Sequence, residues 1–183
     1  MKDIAFHITD VSENCIRAGA TEMTISLVLQ GSVLTLVIAD NGCGMTPETV
    51  ARATDPFYTT RTTRKVGLGL PFLIQNAEQC GGSVKVASQV GVGTTVTATF
   101  HTDNIDCPPV GDVPETLMQI ISGNPQIDTH VEFRSCEQEF SVSTSEIADV
   151  LEGLPLGHPQ VATMIRAIVD DNFKAVFGKS LNF

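Results

Sequence analysis

The chain has 183 residues, room for one ordinary domain or a small domain with an appendage, and it is 42% hydrophobic and 17% charged. That composition supports a packed core and excludes wholesale disorder. The formal charge of −10, from 21 acidic residues against 11 Lys and Arg, excludes a surface that as a whole clamps nucleic acid or an anionic membrane. No apolar run approaches the ~18 residues of a membrane span, and no basic-then-apolar leader opens the chain. Cys15, Cys43, Cys80, Cys107 and Cys136 form an odd, scattered set without a CxxC pair. A reducing cytoplasm is therefore expected, with neither a disulfide framework nor a structural zinc site.

Helical spacing runs from Asp3 to Ala18. Ile4, Ile8, Val11, Cys15 and Ala18 form an apolar stripe, and His7, Asp10, Asn14 and Arg17 form a polar row beside it. That row reads either as a solvated face or as a ligand-capable flank. Met23 to Leu29 alternates, Gly31-Ser32 supplies a two-residue turn, and Val33 to Ala39 follows, which predicts a β-hairpin. Thr46 as N-cap with Pro47 at the first position predicts a short helix to Ala53. A further helix is expected over Leu70 to Gln79, closed by Gly81-Gly82, and a last hairpin over Ser83–Ser88 and Thr94–Thr102, with Val96, Ala98 and Phe100 facing one way. This order predicts an α/β (α+β) fold: a two-layer sandwich of helices on a largely antiparallel sheet.

The charge is uneven, with residues 1–103 summing to −2 and residues 104–183 to −8. A Pro-, Gly- and Asp-rich stretch separates them, so we expect a first domain over 1–103, a linker over 104–114 and a small acidic α+β extension over 115–183. In the extension the spacing predicts helices over Glu115–Ser122, Ser145–Leu151 and Pro159–Phe173 and strands over Thr129–Ser135 and Gln138–Val142. Ser143 with Glu146 reads as a capping box. The extension carries no catalytic pattern, and reads either as a docking or regulatory module for a basic protein surface or as a structural completion of the first domain.

Three stretches carry chemistry. Asp40-Asn-Gly-Cys-Gly44 ends the second strand; Gly42 and Gly44 let the backbone bend tightly beside a flat ligand, and an Asp there can accept from an exocyclic amine. A plain Asp-Asn-Gly turn has the same composition. Gly67-Leu-Gly69 directly precedes a helix, whose start favours an anion. Upstream, Arg61, Arg64 and Lys65 are interleaved with threonines, a phosphate-loving composition and also that of a flexible basic loop. No GxxxxGK[ST] loop occurs.

In order, Asp10-xxx-Asn14, Asp40-x-Gly-x-Gly44, Gly67-x-Gly69 and Gly93-Thr-Thr95 resemble the motifs of the GHKL superfamily of gyrase B, Hsp90, histidine kinases and MutL, over residues 1–102. The resemblance implies the Bergerat ATP-binding fold, with ATP and Mg²⁺ as cofactors. It implies that Asn14 holds Mg²⁺, that Arg17 reaches the phosphates, and that Asp40 reads adenine with Gly42 and Gly44 shaping the pocket. It places Arg61, Lys65, Gly67 and Gly69 beside the phosphates and Thr95 near adenine, with Phe57 as a hinge or packing anchor. Asp10 matches the catalytic position, where hydrolysing relatives usually carry Glu. An aspartate reaches about 1–1.5 Å less far, so slow hydrolysis or dependence on a partner is expected.

No His-Glu-(Ile/Leu)-Arg-Thr-Pro phosphoacceptor helix is present, and only nine residues precede Asp10. The expected protein is therefore a Mg·ATP-binding catalytic module without its own phosphoacceptor, a regulatory kinase acting on a separate protein partner. Two alternatives stand beside it: a MutL-like ATPase switch that dimerises on nucleotide, and a nucleotide sensor with negligible turnover.

Overall fold

The computed structural model describes residues 3–55, 69–151, 153–178 and 181. Helix α1 (Ile4–Arg17) opens it, and the Asp3 carboxylate caps the first turn by accepting from the Phe6 amide at 2.7 Å. Two more first-turn amides that a helix leaves unpaired are satisfied from far along the chain. Ile4 donates to the Pro109 carbonyl at 3.0 Å and Ala5 to that of Val110 at 2.9 Å. The stretch read as a linker is thus bonded to the start of α1.

Strands β1 (Glu22–Gln30) and β2 (Val33–Asp40) form the expected hairpin, with Gly31 at φ 60° in the turn. Helix α2 (Pro47–Thr54) starts at the Thr46 cap, and α3 spans Gly69–Gln79. Strands β3 (Ser83–Gln89) and β4 (Gly93–His101) form the second hairpin. Then come α4 (Val113–Gly123), β5 (Asp128–Arg134), β6 (Glu139–Ser143), α5 (Thr144–Val150) and α6 (Pro159–Phe177). The Ser143/Glu146 capping box is present. Helix α6 runs a turn beyond the expected end because Val176 and Phe177 continue its buried stripe.

The six strands form one mixed sheet in the order β3-β4-β2-β1-β5-β6. All neighbours are antiparallel except β1 and β5, which run parallel from Glu22↔Asp128 to Val28↔Arg134. The alternation that makes each strand leaves one face apolar. Met23, Ile25, Leu27 and Leu29 of β1, Leu34, Leu36 and Ile38 of β2, Val96, Ala98 and Phe100 of β4, and Val131 and Phe133 of β5 are buried. The opposite face carries rows such as Lys85, Thr97, Val37, Ser26 and Glu132 in register. Helix α1 contributes Ile4, Ile8, Val11 and Cys15 to the core, and α4 packs on both α1 and α6. Phe133, Phe173 and Phe177 meet edge-on with ring centroids 5.0–5.7 Å apart, tying β5 to α6. One contiguous hydrophobic cluster runs through both parts of the chain.

Candidate functional site

The polar row of α1 divides by burial. His7 is fully buried, Asp10 and Asn14 are half-buried, and Arg17 is exposed. His7 therefore does not lie on a solvated flank: its ring Nε2 stands 2.8 Å from the Asn76 amide nitrogen on α3. Arg17 pairs with Glu13 one turn back at 2.7 Å. Because both partners are more than half exposed, this ion pair holds the guanidinium only weakly.

Asp40 ends β2 on the same face as Leu36 and Ile38, so its side chain projects towards α1. One carboxylate oxygen accepts from the Gly42 amide at 2.8 Å, closing an Asx turn. Cys15 of α1 lies beneath it. Burial, reinforced by the Asp40 carboxylate, pushes the Cys15 thiol far above its ordinary value, so it stays protonated.

The loop after β2 is clamped on every side. Asn41 accepts from the Thr21 and Glu22 amides at 2.9 and 3.0 Å and donates to the Thr21 hydroxyl at 2.9 Å. Cys43 donates to the Ala18 carbonyl at the end of α1 at 2.9 Å, and Gly91 donates to the Cys43 carbonyl at 2.8 Å. Gly42 has no room for a side chain: a Cβ would stand 2.7 Å from that of Ala18 and 2.9 Å from the Asp40 carboxylate. Gly44 adopts φ +65°, with the Gln89 carbonyl where a Cβ would go. The glycines thus let α1, the loop and the β3–β4 turn close around Asp40.

Gly69, the first residue of α3, is buried against Asp10. A Cβ there would lie 2.9 Å from the Asp10 Cβ and 3.0 Å from its Oδ2. The N-terminus of α3, the positive end of its dipole, therefore abuts the carboxylate nominated as catalytic. Arg61, Lys65 and Gly67, like Phe57, lie outside the described residues.

Thr95 is set opposite Ala39, on the sheet face away from Asp40. Thr94 is the residue in register with Asp40, and its hydroxyl lies 2.8 Å from that of Ser88, which also accepts from the Met45 amide at 2.8 Å. The signal for Thr94 was present in the sequence, since it shares the parity of Val96, Ala98 and Phe100. Asn76 had no such signal, because a polar residue on a helix reads as solvated until its partner is known.

Among the described residues no group of three or more His, Cys, Asp or Glu is placed to hold a metal ion. The residues present fit Mg·ATP nonetheless. Mg²⁺ is commonly held by one or two protein oxygens plus phosphates, and the Asn14 amide on the Asp10 side of α1 offers such an oxygen. Gly42 and Gly44 let the loop close against Ala18 and the Gln89 carbonyl, while Asp40 itself stays half-buried and within reach of solvent.

Residues 3–104 match the family described as histidine kinase-, DNA gyrase B- and HSP90-like ATPases. The chain belongs to this family, whose members bind ATP, usually with Mg²⁺, and the six-stranded mixed sheet with its helices accords with the Bergerat fold. Among its relatives are sporulation kinase E of Bacillus subtilis, 38% identical over 79 residues, and histidine protein kinase DivJ of Caulobacter vibrioides, 33% identical over 79 residues. These alignments cover 43% and 41% of this chain, but 10% and 13% of the relatives. The fold is shared with the crystal structure of the N-terminal domain of a DNA repair protein at a TM-score of 0.52 and 16% identity, covering 78% of this chain and 52% of that one. Among the described residues no helix is long and apolar enough to cross a membrane.

Proposed function

We propose that the chain is a Mg·ATP-binding catalytic module that transfers the γ-phosphoryl group to a separate protein partner. The observation that carries this reading is the seating of Asp10 against Gly69 at the start of α3. It sets a carboxylate beside the helix end whose amides favour phosphate. In this reading Asp40 accepts from the adenine amine, with its second bond to Gly42 fixing its orientation. Asn14 would hold Mg²⁺, which would supply positive charge to offset that of the phosphates. Arg17 leaves Glu13 for the phosphates at little cost, because an exposed pair is worth under ~1 kcal/mol. Asp10 orients the acceptor or a water, and its shorter reach favours an acceptor that is already a nucleophile. The kinase names of the relatives support the same reading.

The test is transfer of label from γ-labelled ATP in an extract of the native cell. Label on another protein is the expected result. Free phosphate alone would instead establish a hydrolytic switch, and tight binding with neither product would establish a sensor. An Asp10→Asn variant as fast as wild type in single turnover removes Asp10 from the mechanism.

A further inference from the structure

We propose that His7 and Asn76 are a positioning pair that sets the register of α3 on α1 and so holds Gly69 at its place against Asp10. The catalytic consequence rests on the nucleotide reading above; the geometry does not.

Two close contacts between the helices stand out among the described residues. Gly69 lies against Asp10, and Asn76, seven residues along the same face of α3, lies 2.8 Å from His7, three residues before Asp10 on α1. Drawn this way, the Asn76 amide donates and the His7 Nε2 accepts. Around these points the buried side chains of the two helices are apolar: Ile4, Ile8 and Val11 of α1, and Leu73 and Ala77 of α3. Apolar contact is non-directional, so it specifies the pairing of two helices less sharply than a hydrogen bond does. The hydrogen bond between the buried His7 and the half-buried Asn76 does not survive a slide of one residue, about 1.5 Å. Helix α3 also packs on α2, β3 and β4; on its α1 side the hydrogen bond adds a directional constraint to the Gly69–Asp10 contact.

Stability alone does not account for the pair. The His7 imidazole is stripped of water and the half-buried Asn76 carboxamide partly so, and apolar residues of similar volume serve a core as well or better. What the pair adds is direction, and the residue it directs is the one touching Asp10. A displacement of about 1 Å at a reacting group costs on the order of a hundredfold in rate.

The test uses the full chain with three variants: Asn76→Leu, the double variant His7→Leu/Asn76→Leu, and His7→Gln, which keeps an acceptor for the Asn76 amide. Where Asn76→Leu alone loses the fold by stranding the imidazole, the double variant carries the test. It is expected to melt at or above the wild type. Its nucleotide affinity stays unchanged, amide exchange in the first turn of α3 rises by roughly tenfold or more, and single-turnover hydrolysis falls by roughly tenfold or more. His7→Gln should recover most of that rate. A double variant that fails to fold overturns the proposal, because the pair then serves stability. Unchanged exchange in a folded double variant overturns it too, as does raised exchange with unchanged turnover. A wild type that neither binds nor hydrolyses ATP sinks the nucleotide reading alone, and amide exchange then decides the register claim.

Discussion

Asp40 has one oxygen committed to the Gly42 amide at 2.8 Å, and Asn can keep that bond through its own oxygen. The Asp40→Asn substitution therefore isolates the remaining carboxylate function without opening the turn. Adenine-nucleotide affinity should fall by ~1–3 kcal/mol, the cost of leaving a buried partner unpaired; unchanged affinity in calorimetry would sink the adenine assignment. Beneath it, Cys15 gives a prediction in pH. Burial raises its thiol far above 9.0, and burial with the neighbouring Cys80 raises Cys107 to about 11. A raised folded value means the folded state holds protons that the unfolded chain releases. The corresponding stability is thus complete below about pH 9 and is lost as pH rises through the folded values. The melting temperature should decline above about pH 9, and Cys15→Ala should flatten that decline; equal slopes in the two proteins would contradict the assignment.

At the scale of elements, α1 is the piece on which the site depends, and it is capped by Asp3. Asp3→Ala removes the acceptor of the Phe6 amide and should cost about 1 kcal/mol, read as a lowered denaturant midpoint with an unchanged slope. A variant with the wild-type midpoint would show that Pro109 and Val110 alone hold the helix end. Most of the elements were legible in the sequence because their signals are local: the stripe of α1, the Gly31 turn, the Thr46 and Ser143 caps. The tight backbone at Gly42 and Gly44 was legible for the same reason, since close turns demand glycine wherever they occur. Strand parity, also legible in the sequence, sets Thr94 rather than Thr95 on the Asp40 side of the sheet. The His7–Asn76 contact was not legible, because it joins residues whose partners are set only when two distant helices pack.

At the scale of the molecule, β5 lies beside β1 in the middle of the sheet order, and Ile4 and Ala5 are bonded to the stretch before α4. We propose that residues 104–183 complete the nucleotide domain. A chain ending near residue 103 would bare the β1 edge, the underside of α1 and two helix-start amides. Such a truncation should lose cooperative melting and ATP binding together. A truncated protein that melts sharply and binds nucleotide as the full chain does would make the extension a separate module. The extension also holds most of the surplus negative charge.

The parallel pairing of β1 with β5 has a consequence for how the protein is made. Glu22 aligns with Asp128, a partner roughly a hundred residues later, so the central ladder cannot close by local zipping. During synthesis, at ~5–20 residues per second, β1 must wait several seconds with one edge unpaired. Refolding from denaturant should accordingly be slow for a chain of this size, and a chain held at that stage would pair its open edge with a neighbour's.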